Sequence, residues 1–255
     1  MAYTAIDDSE AYFQTALYTG NGSDDKAITL GGTTDMQPDM VWIKSRSNSG
    51  YNHCLIDSLR GVTKVLRPNL ANDEDTYSDA LKSFDSDGFT LDDDGSNGEM
   101  NTNTHTYVAW CWKTGTTGSG TTTGSGTGQA YTYSVNTDAG VSIMAYTGNG
   151  TANHTIPHHL GVVPKMFMVK IRSGDNNNWG IFHHKSNSSP EQYAFYLDST
   201  HAATDDIFMN DVAPTSSVIN LSGGNYGNVN TNTYVAFCFA EKQGFSKFGS
   251  YVGNG

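Results

Sequence analysis

Long apolar runs are missing from this 255-residue chain. None approaches the ~18–20 residues that a membrane-crossing helix requires, so no membrane partner is expected. The first residues, MAYTAIDDSEAYFQTALYTGNG, contain no basic stretch followed by an apolar one, so no secretory signal is expected. Basic residues are scarce as well: 14 Lys and Arg stand against 26 Asp and Glu, a formal charge of −12. The excess is uneven, with 18 acids against 8 bases up to Gly128 and 8 against 6 beyond it. A surface of this sign repels phosphate backbones, which excludes nucleic acid as a partner. The charge is read as a device for solubility.

Cysteine is the third scarcity, with three residues. Cys111 and Cys238 occupy equivalent places in two similar stretches, and Cys54 has no counterpart. A disulfide framework would repeat as pairs within each copy, so buried free thiols are expected; a Cys54–Cys111 bridge is the alternative.

What the chain does contain is repetition. YTGNG stands at 18–22 and at 146–150, and YVGNG at 251–255. PDMVWIKSRS (38–47) is matched by PKMFMVKIRS (164–173), and NTNTHTYVAWCW (101–112) by NVNTNTYVAFCF (228–239). These blocks keep their order at offsets of 126 to 128 residues, which makes them an internal duplication. Twenty-eight glycines, with Thr, Ser, Asn and Asp between short β-branched and aromatic runs, read as an all-β protein rich in turns. TYVAWCWK alternates Val108, Trp110 and Trp112 with Tyr107, Ala109 and Cys111, so both faces are apolar and an inner strand is expected. Large aromatics keep to one face and small residues to the other in both copies, so one face is expected to pack the thick core of a sandwich. The main helical candidate is 75–84, DTYSDALKSF.

The fold expected is therefore a tandem of antiparallel β-sandwich domains of jelly-roll or lectin-like character. Residues 1–16 form an amino-terminal docking arm, 17–113 the first repeat and 129–249 the second. Residues 250–255 open a truncated third. Between the repeats, TGTTGSGTTTGSGTG (114–128) holds only Thr, Gly and Ser and reads as a linker.

Chemistry is thinly represented. Asp85 and Asp87 in FDSDGF have the opening spacing of a calcium loop, but the glycine comes too early and the later acids fall out of register. They are weak metal candidates, outweighed by turn chemistry, and no cofactor is expected. The paired histidines 158–159 and 183–184 point to opposite faces if on strands and make poor chelates. Signatures of nucleophilic catalysis and nucleotide binding are absent from the sequence, and no enzyme is expected. Lys44 with Arg46, and Lys170 with Arg172, are the duplicated polar pairs; they suit a ligand carboxylate or, as the favoured reading, structural ion pairs. Trp179, beside Asn176–Asn178, suits either a stacked sugar or a core edge.

Together FQTALYTGNGSDDKAIT, QPDMVWIKSRS, DSLRG, SFDSDGFTL, NTHTYVAWCWK and GFSKFGSYVGNG resemble a repeated β-rich domain of virion structural proteins in tailed bacteriophages, common among phages of marine and aquatic bacteria. The second copy lacks both DSLRG and FDSDGF. The resemblance implies a non-enzymatic structural protein of the virion, assembled in the host cytoplasm, in a tail fibre or similar appendage. Its partners would be other virion proteins and copies of itself, a homotrimer if it is a fibre. A module binding host-surface glycans and a capsid-surface decoration protein are the alternatives.

Overall fold

The computed structural model describes residues 4–95, 98–174, 176–205, 207–224 and 226–254. The protein is all-β, built from antiparallel sheets, and its helical pieces among the described residues are single 3-10 turns such as Ser9–Ala11. It divides into two compact units, Asp8–Gly115 and Thr116–Gly255, the second also taking in the residues up to Asp7.

The first unit contains β1 (Phe13–Thr19), β2 (Lys26–Ile28), β3 (Met40–Ser45), β4 (Cys54–Asp57), β5 (Lys64–Val65), β6 (Asp75–Thr76), β7 (Leu81–Asp85), β8 (Gly88–Leu91) and β9 (Thr106–Trp112). Four of them form a sheet in the order β1-β9-β3-β4, and β2-β8-β7 form another. Strand β9 is an inner strand, as its two apolar faces require. Its core side is the one carrying Tyr107, Ala109 and Cys111, all fully buried, whereas Val108, Trp110 and Trp112 are half-buried. The face that packs the core is thus the one that carries the small Ala109 and Cys111 beside Tyr107. Phe89 and Leu91 of the β2-β8-β7 sheet fill the same core, so the facing strand supplies the small Ala109 and Cys111. The helix expected at 75–84 is also absent. Asp75 and Thr76 bridge to Val65 and Lys64, and Leu81 enters a strand paired with β8. Tertiary pairing overrides a weak local propensity.

The second unit contains β10 (Thr116–Thr121), β11 (Thr123–Gly124), β12 (Ala130–Asn136), β13 (Val141–Thr147), β14 (His154–Pro157), β15 (Met166–Ser173), β16 (Gly180–His183), β17 (Tyr193–Tyr196), β18 (Thr204–Asp205), β19 (Val218–Leu221) and β20 (Thr233–Phe239). Its main sheet runs β10-β12-β13-β20-β15-β16-β17-β18, and β11-β14-β19 form a smaller one. The central order β13-β20-β15-β16 repeats β1-β9-β3-β4, and the β14–β19 pairing repeats β2–β8, so the sequence duplication is a duplication of strand order.

Two expected boundaries change. Residues 4–16 are not a separate arm: β1 begins at Phe13, paired with Trp112, and Thr4 donates its hydroxyl to the Gln243 carbonyl at 2.8 Å within the second unit. Residues 114–128 are not a tether. Six of them form β10, in register with β12 from Thr116↔Val135 to Thr121↔Ala130. Gly118 and Gly120 lie where a Cβ would come within 2.5 Å of the Tyr133 hydroxyl and 2.9 Å of the Tyr131 ring. The neighbouring aromatics occupy the space the glycines leave, and that packing orders the strand. Near the other end, Tyr251 and Val252 are 94% and 95% exposed and lie in no strand; Gly255 is outside the described residues.

Candidate functional site

The repeated YTGNG is a structural lock. Tyr18 stacks on Tyr107 with ring centroids 5.1 Å apart, and Tyr146 on Tyr234 at 5.4 Å. Each leading tyrosine donates its hydroxyl to a loop carbonyl at 2.8 Å, Tyr18 to Met100 and Tyr146 to Gly227. Burial, helped by the stacked tyrosine, holds both hydroxyls well above the usual phenol range, so they stay protonated donors. The turn is then closed by one buried asparagine per unit. Asn101 Oδ1 accepts the Asn21 N–H at 3.0 Å, and Asn228 Oδ1 accepts the Asn149 N–H at 2.8 Å. The backbone carbonyls of the same two asparagines take the N–H groups of Gly22 and Gly150. A Cβ at Gly20 or Gly148 would lie 2.3 or 2.4 Å from a loop carbonyl oxygen, which is why both copies keep glycine there.

The duplicated lysines are likewise spent on the fold. Lys44 Nζ donates to the carbonyls of Asn48 and Tyr51, at 3.3 and 2.6 Å, and the fully buried Lys170 donates to the Asn177 carbonyl. Each ties down the loop that follows its strand. Trp179 is fully buried against Phe237, ring centroids 6.2 Å apart, so it is a core side chain with no face open to a sugar. Asp85 accepts the hydroxyls of Ser83 and Thr90 at 2.6 and 2.7 Å, and Asp87 accepts the Met36 N–H at 3.4 Å; both serve the β7–β8 hairpin. Of the sequence-chosen residues, Arg46 is exposed and Arg172 half-buried. Arg172 lines an open groove of about 500 Å³ in the second unit, with Ser119, Thr121, Thr132, Thr147 and Thr233. This groove needs β10 and β12, strands for which the first copy has no equivalent.

A family model described as a domain of unknown function, DUF7483, matches residues 8–255, running through both copies. The chain belongs to that family. No curated protein and no solved structure matches it.

Two features of this DUF7483 chain escape a reading of the sequence. Asp24, Asp92 and Asp93 bring one carboxylate oxygen each to within 4.8 Å of one another at the surface. Asp24 titrates above the usual carboxylate range because it hydrogen-bonds and faces Asp92. Sequence separation hid the pairing of Asp24 with Asp92, and Asp85 and Asp87 take no part in it. The second feature is a buried ionic network in the first unit. Arg60 pairs with Asp57 at 2.6 Å and Glu74 at 2.8 Å, all three side chains almost wholly buried. Arg67 pairs with Asp75 and with Glu99, the latter at 3.0 Å, and donates to the Tyr77 hydroxyl at 3.0 Å. Burial alone would lower the Arg60 titration; Asp57 and Glu74 outweigh it and hold the guanidinium above its ordinary range. The signal was the DSLRG…DED stretch, present in one copy only. All three cysteines are free and buried, and no Cys54–Cys111 bridge forms. Burial pushes the Cys111 thiol up to about 12, far from the range of a nucleophile.

Proposed function

We propose that this protein is a non-enzymatic structural component of a bacteriophage virion, in a tail fibre or similar appendage, with its two units acting as jelly-roll or lectin-like β-sandwiches. The observation that carries this reading is what the duplication preserves. The repeated tyrosines, asparagines and lysines bond the protein's own backbone and so hold strands and turns in both units. Duplicating a frame while leaving chemistry out suits a load-bearing repeat. Partners are then other virion proteins and copies of the chain itself, a homotrimer in a fibre. The test is an antibody against the folded chain applied to purified particles of the encoding phage. Labelling of the tail supports the appendage, labelling of the capsid shell makes it a decoration protein, and unlabelled particles lacking the protein overturn the reading.

The groove lined by Arg172 favours a second reading, attachment to a host-surface glycan, because its lining of Ser119, Thr121, Thr132, Thr147, Thr233 and Arg172 is polar and suits a polar ligand. Glycan-array binding that is lost in Arg172→Gln supports this; wild-type chain that captures no glycan removes it.

A further inference from the structure

The second copy of the motif does something the first does not, through Asn149. In the first unit the equivalent Asn21 side chain accepts from the Ser23 N–H at 3.1 Å. Asn149 Oδ1 makes the corresponding bond to the Thr151 N–H at 2.9 Å, and also accepts from Asn228 Nδ2 at 3.3 Å. Its Nδ2, with two hydrogens to share, then lies within reach of three acceptors: the carbonyls of Ser125 and Thr127, both at 3.0 Å, and Nδ1 of His154 at 2.7 Å. One amide group thus holds the turn after β11 against the start of β14. The two bonds received at Oδ1 fix which end of the amide faces His154, so His154 Nδ1 must act as an acceptor. The imidazole is therefore neutral, with its hydrogen on Nε2, an atom that is buried and has no hydrogen-bond partner among the described residues.

We propose that His154 and Asn149 form an acid-sensitive latch: a proton on His154 Nδ1 removes the acceptor that Asn149 needs and frees the segment around Ser125–Thr127 from the β14 edge. A protonated Nδ1 would face an amide N–H, donor against donor. Turning the amide over would offer it an oxygen, but would break the bonds to Ser125, Thr127, Thr151 and Asn228 together. Among the described residues, burial and the Ser125 backbone are the influences on this ring, and no charged side chain figures with them. His154 lies opposite Gly124 of β11 and Leu221 of β19, beside Asn149, and His158, just past the end of β14, bonds the Thr215 carbonyl at 3.1 Å. Burial dominates at His154 and favours the neutral ring, with the Ser125 carbonyl pulling weakly the other way. The first unit has Lys26 where the second has His154, and cannot work in this way. Because the segment is held by a few local bonds, it can open while the main sheet stays intact.

The test is amide hydrogen exchange of the full chain, corrected for the intrinsic pH dependence of exchange, between pH 7.5 and pH 5. Protection of the Ser125 amide, bonded to the Asn153 carbonyl at 2.9 Å, is expected to fall by about tenfold or more on acidification. The Gly22 amide of the first unit, bonded to Asn101, is expected to hold. In His154→Gln the acid response should vanish. Should that variant fail to fold, the His154 ring titration followed by NMR in the wild type takes its place, with a midpoint that must coincide with the loss of protection. Unchanged Ser125 protection across this range, a loss that persists in His154→Gln, or a His154 ring that stays neutral while protection falls would overturn the proposal.

Discussion

The ring of Tyr146 lies on that of Tyr234, 17° from parallel, and the two hydroxyls bond one loop two residues apart: Tyr146 donates to the Gly227 carbonyl and Tyr234 accepts the Val229 N–H at 2.9 Å. Tyr18 and Tyr107 repeat the arrangement with Met100 and Thr102. A strand pair and the loop that feeds it are thus locked by the same two side chains. This answers why the motif recurs: Tyr-Thr-Gly-Asn-Gly is the half of the lock that lies on β1 and β13, and Asn-x-Asn-Thr-x-Thr-Tyr is the half leading into β9 and β20.

The lock is expected to fail most sharply at its buried asparagine. Asn228 makes bonds to the Asn149 N–H and to the carbonyls of Thr151 and Ser222, the last two at 2.9 Å. Asn228→Ala would leave these groups buried and unpaired, a cost of about 3 kcal/mol, and Asn101→Ala should behave alike. Asn228→Asp should be worse than its near-identical shape suggests, since a carboxylate would face two carbonyl oxygens. Denaturant unfolding of the three variants checks this; loss of less than about 0.5 kcal/mol would mean the turn is held by other contacts.

Glycines in the Thr/Gly/Ser segment separate a strand from a tether. In a flexible tether Gly→Ala changes little. As built, a Cβ at Gly124 would lie 2.3 Å from the Asn153 carbonyl oxygen, at a φ of 84° that favours glycine. Gly124→Ala is expected to cost about 1–3 kcal/mol, and Gly118→Ala somewhat less because Tyr133 can shift. Gly31→Ala, with nothing within 4 Å, is the neutral control. Equal melting temperatures for all three variants would rule out the ordered segment.

The contrast between what the sequence shows and what it hides follows from where the information lies. Strands β3, β9, β15 and β20 were legible because apolar alternation is local and because each occurs twice. Strand β10 was not, since its order comes from Tyr131 and Tyr133 on the next strand rather than from its own Gly, Ser and Thr. The candidate site residues stand out in the sequence by chemical type alone, whereas Lys44, Lys170 and Trp179 are turned inward; whether a loop carbonyl waits within reach of a lysine depends on how the loop folds back. The Arg60–Asp57–Glu74 network was hidden for the same reason.

Acid is expected to weaken this protein from near neutrality. His53 in the first unit and His154, His158, His159 and His183 in the second are all held below the ordinary histidine value of 6.5, in each case chiefly by burial. A base whose folded pKa is lowered binds protons more readily when unfolded. Its contribution is therefore intact above about pH 6.5 and is lost as pH falls from there toward the lowered values. Melting temperature should be flat between pH 7 and 8 and decline below about 6.5. A curve that stays level down to pH 5 would show that the rings reach solvent before they titrate.

The Arg60 network should respond differently to removing one charge and to removing all of them. Asp57 accepts two bonds from Arg60, the backbone N–H on Oδ1 at 2.9 Å and Nε on Oδ2 at 2.6 Å, and Glu74 accepts from Nη1. Arg60→Met takes away the guanidinium that the buried Asp57 and Glu74 share, and should cost about 3–5 kcal/mol. Adding Asp57→Asn and Glu74→Gln to Arg60→Met removes the stranded charges and should recover a large part of that loss, even though more of the native network is gone. Stability of the single and triple variants by denaturant unfolding decides the matter. A triple variant less stable than the single would mean that hydrogen-bond geometry, rather than unpaired buried charge, sets the energy of this corner of the first unit.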